Sequence, residues 1–258
     1  MTVARSVLFA VVFYATTVLF LLAALPALVL PHRAVGAMAK AWGRTSVWLL
    51  RIVCGIGVEW RGLEKLPPGA LLVAAKHQSA WETFALLPLF DDPSFIIKRQ
   101  LTWLPLYGWY AKKAGMIPVD RSAGRAALVA MTRAARALLD EGRQILIFPE
   151  GTRSAAGAPP DYKPGIALLY SELGVPCLPI ALNSGLHWPR RSFLRPPGTI
   201  LVEILDPIPP GLPRRAFLER LQDTIETATA RLVAEGQGRL APPDRRAPAQ
   251  VDGASVGS

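Results

Sequence analysis

The chain has 258 residues, is 51% hydrophobic with a mean hydropathy of +0.29, and carries a formal net charge of +10. This composition is more apolar than an ordinary soluble domain and too polar for a polytopic membrane protein, so we expect one α/β domain with a short membrane element. The charge favours an anionic partner. Because the sequence lacks zinc-ligand spacing and a helix-turn-helix pattern, we expect membrane lipids and no nucleic acid.

The first predicted element is a membrane anchor. Positions 6–31 carry no charge, and this run is long enough for a helix to cross the roughly 30 Å hydrocarbon core. A cleaved signal peptide is the alternative, but the apolar run exceeds the ~7–15 residues usual for one, and only Arg5 precedes it. Basic residues cluster after the run, at Arg33, Lys40, Arg44 and Arg51. The positive-inside rule therefore predicts that the main domain lies in the cytoplasm.

A second apolar stretch at 45–58 contains Arg51 and is too short to span a bilayer. This stretch suits an interfacial helix, or a second helix that re-enters the leaflet from which the first one came. Pro26 and Pro31 could turn the chain between two such helices. The sequence leaves open a single crossing and a hairpin within one leaflet.

Short β-rich runs then alternate with helical patterns. Strands are predicted at 57–60, 70–75, 94–97, 117–119, 144–148, 177–181 and 199–205. Helices are predicted at 80–90, 103–114, 123–141, 166–173 and 214–235. Runs apolar on both faces predict an α/β fold with a largely parallel sheet flanked by helices. The predicted organisation is an anchor region at 1–58, a main domain at 59–235 and a disordered tail at 236–258.

His77 directly follows an apolar strand, and Glu82 comes five positions later. Residues five apart in a continuous helix point away from each other. If His77 lies in the turn and Glu82 in the first helical turn, the carboxylate can reach back, fix the imidazole tautomer and raise its basicity, as a general base requires. A loop histidine beside an unrelated glutamate is the alternative interpretation.

The run FPEGTRS at 148–154 predicts a tight turn at the carboxyl end of a strand, where open α/β sheets place ligands. Arg153 could bind a phosphate in a bidentate manner, assisted by Thr152. The alternative is an ordinary turn whose arginine pairs with a surface carboxylate. Arg121, at the end of the run at 115–121, could hold an anion or pair with Asp120.

Four blocks in this order resemble the glycerophospholipid acyltransferase family: the His77 and Glu82 spacing, the run at 115–121, FPEGTRS at 148–154, and a proline-punctuated strand at 175–181. The resemblance runs from about position 60 to 206. It implies an enzyme of the cytoplasmic (inner) membrane that acylates a lysophospholipid. The expected acceptor is 1-acyl-sn-glycerol-3-phosphate, acylated at its sn-2 hydroxyl to give phosphatidic acid, and the expected donor is an acyl carrier protein or coenzyme A thioester. No further cofactor and no metal are implied.

The resemblance also implies roles for individual residues. His77 is the expected catalytic base and Glu82 its orienting acid. The expected acceptor-binding residues are Lys98, Arg121, Glu150, Gly151, Thr152 and Arg153, with Glu150 shaping the turn. Two positions depart from the family pattern: Glu82 stands where aspartate is usual, and Pro118 interrupts the run that ends at Arg121.

Three other functions compete with this hypothesis. The acceptor could be another lysolipid such as lyso-ornithine lipid. The protein could bind anionic lipid without catalysis, but the complete motifs argue against that. A serine hydrolase could use Ser79 or Ser154, but neither serine stands in a Gly-x-Ser-x-Gly elbow.

Overall fold

The computed structural model describes residues 1–120 and 123–240. The strands are β1 (Ile56–Arg61), β2 (Leu71–Ala75), β3 (Pro93–Lys98), β4 (Ile117–Val119), β5 (Gln144–Ile147), β6 (Cys177–Leu182) and β7 (Gly198–Ile204). The helices are α1 (Thr2–Ala23), α2 (His32–Cys54), α3 (Glu82–Ala85), α4 (Tyr107–Lys113), α5 (Gly124–Asp140), α6 (Gly165–Leu173) and α7 (Arg214–Leu240). Within these residues the strands form one seven-stranded sheet in the order β1-β7-β6-β2-β5-β3-β4.

The sheet is largely parallel, as predicted. Only β6 and β7 pair antiparallel among the described strands, so β1 and β7 run opposite to the other five. All five residues of β2 are buried because β2 lies in the middle of the sheet with helices on both faces. The carboxyl ends of β6, β2, β5, β3 and β4 consequently meet at one edge.

The core has two layers, because successive side chains along each strand point to opposite faces of the sheet. Leu71, Val73 and Ala75 of β2 face a cluster that includes residues of α1, α2 and α3. Leu72 and Ala74 face the opposite cluster, to which α5, α6 and α7 contribute. The N-terminal helices therefore cover one face of the sheet and the later helices cover the other.

The N-terminal region is a helical hairpin, one of the two predicted arrangements. A 3-10 turn at Leu25–Leu28 joins α1 to α2. The second helix ends at Cys54, and Gly55, which follows it, has a φ of +70° and forms a left-handed cap. The second helix begins at His32, well before the predicted apolar stretch. Along α1, one side packs against α2 and the sheet domain, whereas Val7, Val11 and Val18 on the other side are at least half exposed.

Two predicted helices are shorter than expected. In the predicted helix 80–90, α3 ends at Ala85 and a 3-10 turn at Leu87–Leu89 follows, because Pro88 cannot supply a helical N–H. In the predicted helix 103–114, α4 begins only at Tyr107. Pro105 and the positive φ of Leu106 interrupt the chain before that residue.

The last helix is longer than predicted, because α7 continues to Leu240 rather than ending at 235. A Cβ on Gly236 would lie 2.5 Å from the amide nitrogen of Asn183, so glycine lets the helix pass close to β6. Arg239 then pairs with Glu59 at 2.9 Å and Glu235 at 2.6 Å, which holds the final turn. The rest of the predicted tail, 241–258, lies outside the described residues.

Candidate active site

The candidate site lies at the edge where the central parallel strands end. His77 follows β2, Glu150 follows β5, and Ser184 follows β6, and these strands are neighbours in the sheet. Ligands of open α/β sheets bind outside the carboxyl ends of such strands.

His77 and Glu82 are in contact, as their spacing predicts. Glu82 is the first residue of α3, and its Oε1 lies 2.9 Å from His77 Nδ1. The same oxygen accepts the backbone N–H groups of Gln78 at 2.6 Å and Ser79 at 2.7 Å. Oε2 accepts the hydroxyls of Ser79 at 2.6 Å and Ser184 at 2.9 Å. The carboxylate is thus fixed by the turn, by α3 and by the chain after β6.

This network keeps Glu82 ionised. Burial is the largest single influence on its pKa and acts to raise it, since Glu82 is 0% exposed. The hydrogen bond and charge of His77, with the hydrogen bonds from Ser79, outweigh burial and hold the pKa of Glu82 below its ordinary value. An ionised Glu82 accepts the Nδ1–H of His77, which leaves the lone pair of the imidazole on Nε2.

The FPEGTRS turn is tied to the His77 turn. The Ser154 backbone N–H donates to the His77 carbonyl at 2.9 Å, and the imidazole stacks on Phe148 with ring centroids 4.0 Å apart. Gly151 has a φ of +65°, which glycine adopts without strain, and its N–H donates to the Phe148 carbonyl at 2.8 Å. The two sequence motifs are therefore in direct contact through a hydrogen bond and a ring stack.

Glu150 lies beneath this turn and not in the cleft. It is 2% exposed, and its carboxylate lies 3.2 Å from Nζ of the buried Lys76. Lys76 also pairs with Glu226 of α7 at 2.7 Å, and Glu226 accepts the Tyr162 hydroxyl at 2.9 Å. Glu150, predicted among the substrate-binding residues, is therefore buried under the turn and paired with Lys76.

A pocket of about 330 Å³ opens beside the His77 turn. Its walls include the aromatic side chains of Phe13, Trp42, Phe84 and Trp188. Arg153, Arg191 and Arg195 also line it. The Arg195 guanidinium stacks over Trp188 at 4.2 Å, and burial lowers its pKa, although an arginine remains charged at neutral pH. The pocket therefore combines apolar walls with positive charge.

The remaining predicted residues differ in position. Thr152 is exposed in the turn that precedes Arg153. Lys98 is exposed at the carboxyl end of β3, on the same sheet edge as His77 and separated from β2 by β5. Arg121 lies outside the described residues.

Three residues of the site, Lys76, Ser184 and Glu226, were not predicted from the sequence. Lys76 offered a signal, because it directly follows a strand that is apolar on both faces and must therefore be buried with a counter-ion. Ser184 and Glu226 gave no local signal, since their partners lie 102 and 150 residues away along the chain.

An imidazole held by a buried carboxylate is suited to removing a proton from a substrate hydroxyl, and the neighbouring pocket suits an amphipathic anion. Fold and site thus define a group-transfer enzyme that works on lipid-like substrates. The chain belongs to the acyltransferase family, whose family model matches residues 57–183.

Relatives with assigned activities support the same conclusion. A 1-acyl-sn-glycerol-3-phosphate acyltransferase of Pseudomonas aeruginosa is 40% identical over 177 residues, which cover 68% of this chain and 69% of that protein. A lyso-ornithine lipid O-acyltransferase of the same species is 27% identical over 215 residues, 76% of this chain and 82% of that protein. The crystal structure of the 1-acyl-sn-glycerophosphate acyltransferase PlsC from Thermotoga maritima has the same fold. It matches with a TM-score of 0.74 at 21% identity and covers 91% of this chain and 100% of that one.

Proposed function

We propose that this protein transfers a fatty acyl group from an acyl thioester to the sn-2 hydroxyl of 1-acyl-sn-glycerol-3-phosphate, giving phosphatidic acid. The observation that carries the proposal is the oriented His77 beside a pocket with aromatic walls and arginines at its lining. The 40% identical relative named for this activity supports the choice of acceptor.

In the proposed reaction, Nε2 of His77 takes the proton of the acceptor hydroxyl as its oxygen attacks the thioester carbonyl. The tetrahedral intermediate then collapses, the carbon–sulfur bond breaks, and the leaving thiolate receives the proton from the imidazolium. Glu82 stays anionic throughout and stabilises the imidazolium. No acyl-enzyme forms, and no cofactor beyond the donor thioester of coenzyme A or acyl carrier protein takes part.

Arg153 is the proposed phosphate ligand, because it lines the pocket next to the His77 turn and its own turn is bonded to His77. Lys98 and Arg121 are proposed as further basic contacts from the ends of neighbouring strands. Holding the phosphate fixes the hydroxyl beside Nε2, and such positioning contributes much of the rate in bimolecular transfers.

The apolar helix and the bacterial relative indicate membrane association. We further propose that the hairpin lies in the cytoplasmic leaflet of the inner membrane, with the catalytic domain in the cytoplasm. Contacts with the domain extend along α1, because Ser6 Oγ accepts the Arg195 N–H at 2.9 Å and the Leu21 carbonyl accepts the Tyr110 hydroxyl at 2.5 Å. A helix bound along its length to the domain cannot cross the bilayer without drawing the domain into the hydrocarbon. Residues 1–58 contain no Asp or Glu, which suits an anionic leaflet.

The test is incubation of the purified protein with an acyl thioester and a panel of lysolipids, with the products identified by mass. Phosphatidic acid is the expected product, and the His77→Ala protein should form little. A second candidate acceptor is lyso-ornithine lipid, favoured by the 27% identical relative. Faster acylation of that lipid than of 1-acyl-sn-glycerol-3-phosphate contradicts the proposed acceptor, and failure to acylate any lysolipid contradicts the proposed activity.

A further inference from the structure

The segment at 99–109, here called the tryptophan segment, exposes several large apolar side chains. Trp103 is 68% exposed, Trp109 60% and Leu104 50%. Single exposed apolar residues are common on soluble proteins, but a cluster of this size marks an interaction surface. None of these side chains lines the pocket beside His77.

The exposure is built into the backbone. A Cβ on Gly108 would lie 2.1 Å from the Thr102 carbonyl oxygen, so the segment folds tightly back on itself. Leu106 adopts a φ of +61°, a strained value for a residue with a side chain. The Thr102 hydroxyl donates to the Arg99 carbonyl at 2.7 Å and closes the preceding turn. Because the backbone holds these tryptophans on the surface, we expect them to contact an apolar environment there.

The tryptophan segment adjoins the apolar hairpin. Tyr110, which directly follows it, donates to the Leu21 carbonyl of α1. Tyr110 of α4 and Ala114, which directly follows that helix, share a buried cluster with Ala24 and Ala27 at the tip of the hairpin. The segment that carries the exposed tryptophans is therefore fixed next to the tip of the hairpin.

The positive charge around the segment also favours binding to an anionic surface. Residues 93–119 contain no Asp or Glu, and they include Lys98, Lys112 and Lys113. Arg99 is paired with Asp120 at 2.9 Å, so the three lysines supply the positive charge. Tryptophan prefers the boundary between headgroups and acyl chains, and lysines beside it attract anionic headgroups.

We propose that the tryptophan segment is a second membrane-docking element, separate from the hairpin, whose Trp103, Leu104 and Trp109 enter the headgroup boundary of an anionic leaflet. The inference rests on the leaflet position of the hairpin proposed above. Docking at this point holds Lys98, the residue before the segment, at the height of the lipid headgroups. The segment thus sets the depth at which an acceptor phosphate meets the protein.

An environment-sensitive fluorophore attached to single cysteines tests the proposal. The full-length protein carries Cys54→Ala and Cys177→Ala, and each labelled protein has one of four substitutions: Trp103→Cys, Trp109→Cys, Val18→Cys or Val129→Cys. Val18 on α1 is 55% exposed and is the control for the hairpin, whereas Val129 is 50% exposed on α5, across the sheet. The proteins are placed in phosphatidylglycerol vesicles with and without bromine on the acyl chains.

Labels at 103 and 109 should lose most of their emission in brominated vesicles, as the label at 18 should, while the label at 129 stays bright. Quenching at 18 with none at 103 and 109 overturns this inference and leaves the hairpin proposal standing. No quenching at 18 overturns both. A blue-shifted but unquenched label at 103 indicates burial against a second copy of the chain and also overturns the inference.

A second measurement needs no label or cysteine change. Brominated chains should quench part of the native tryptophan emission, and the Trp103→Phe, Trp109→Phe protein should lose much of that quenchable part. An unchanged quenchable fraction in this variant overturns the inference.

Discussion

The substitution Glu82→Gln separates the charge of the carboxylate from its shape. In the native site Oε1 accepts three donors, from His77, Gln78 and Ser79, and Oε2 accepts the hydroxyls of Ser79 and Ser184. The amide oxygen of glutamine can keep all three bonds at Oε1. Its NH₂ group can donate to the two hydroxyl oxygens, which both accept and donate. The variant should therefore fold, hold the same imidazole tautomer and lose only the negative charge.

The expected loss follows from the 2.9 Å contact between His77 and Glu82. A hydrogen bond to a charged group contributes about 1.5–3 kcal/mol, against about 0.5–1.5 kcal/mol for a neutral one. The difference of about 1–1.5 kcal/mol is lost when the imidazolium forms, which lowers kcat by about tenfold. Glu82→Ala is a less informative change. It leaves four buried donors from Gln78, Ser79 and Ser184 without their acceptor, at about 1–3 kcal/mol each, which is enough to unfold a marginal protein.

Initial rates of thiol release from an acyl-coenzyme A, at saturating acceptor in mixed micelles, measure kcat for both proteins. Thermal unfolding of each protein checks that the fold is kept. A Glu82→Gln enzyme with native kcat and native stability refutes the electrostatic role of Glu82. The carboxylate would then serve only to hold the turn.

Four further outcomes are expected. His77→Ala should lower kcat by roughly 10²–10⁴-fold, and intact-mass analysis with donor alone should show no acyl adduct on the native enzyme. Arg153→Ala should weaken binding of the phosphate-bearing acceptor by about 1.5–3 kcal/mol, measured as a higher KM. The control is Arg220→Ala, which removes the same charge at an exposed position of α7 and should leave KM unchanged. Because the pKa of Glu82 is lowered on folding, its carboxylate stabilises the protein above the unfolded pKa of about 4.3. The native protein should therefore be more stable than Glu82→Gln at neutral pH. This difference in stability, followed by thermal unfolding, should disappear as pH falls through the lowered pKa of Glu82 in the folded protein. Deletion of residues 1–54 should yield aggregated protein in size-exclusion chromatography rather than a soluble enzyme, and a soluble, active product contradicts this expectation.

The sequence predicted the strands better than the helices. Both ends of each predicted strand lie within two residues of the ends of an observed strand. The prediction succeeds because buried parallel strands such as β2 are marked by short apolar runs between turns. The ends of the helices depend on tertiary contacts, which the local sequence pattern does not show. The extension of α7 to Leu240 depends on the close approach of Gly236 to Asn183, which lies on a distant strand end.

The site was predictable where its partners are close in sequence. His77 and Glu82 are five residues apart, so their contact could be derived from the geometry of a turn leading into a helix. The partners of Lys76 and Ser184 come from elements that only the fold brings together. The inward position of Glu150 has the same cause, since its counter-ion Lys76 follows a different strand, β2.

The anchor and the catalytic domain form one structural unit rather than two joined regions. Phe9 and Leu50 of the hairpin are 2% and 0% exposed within the same core cluster as the strands β2 and β7. A Cβ on Gly43 of α2 would lie 2.5 Å from the Phe84 carbonyl oxygen of α3, the helix that begins at Glu82. Phe13 and Trp42 of the hairpin also line the pocket beside the His77 turn. The apolar hairpin is therefore also a wall of the pocket beside the His77 turn, and one core cluster holds the hairpin and the sheet domain together.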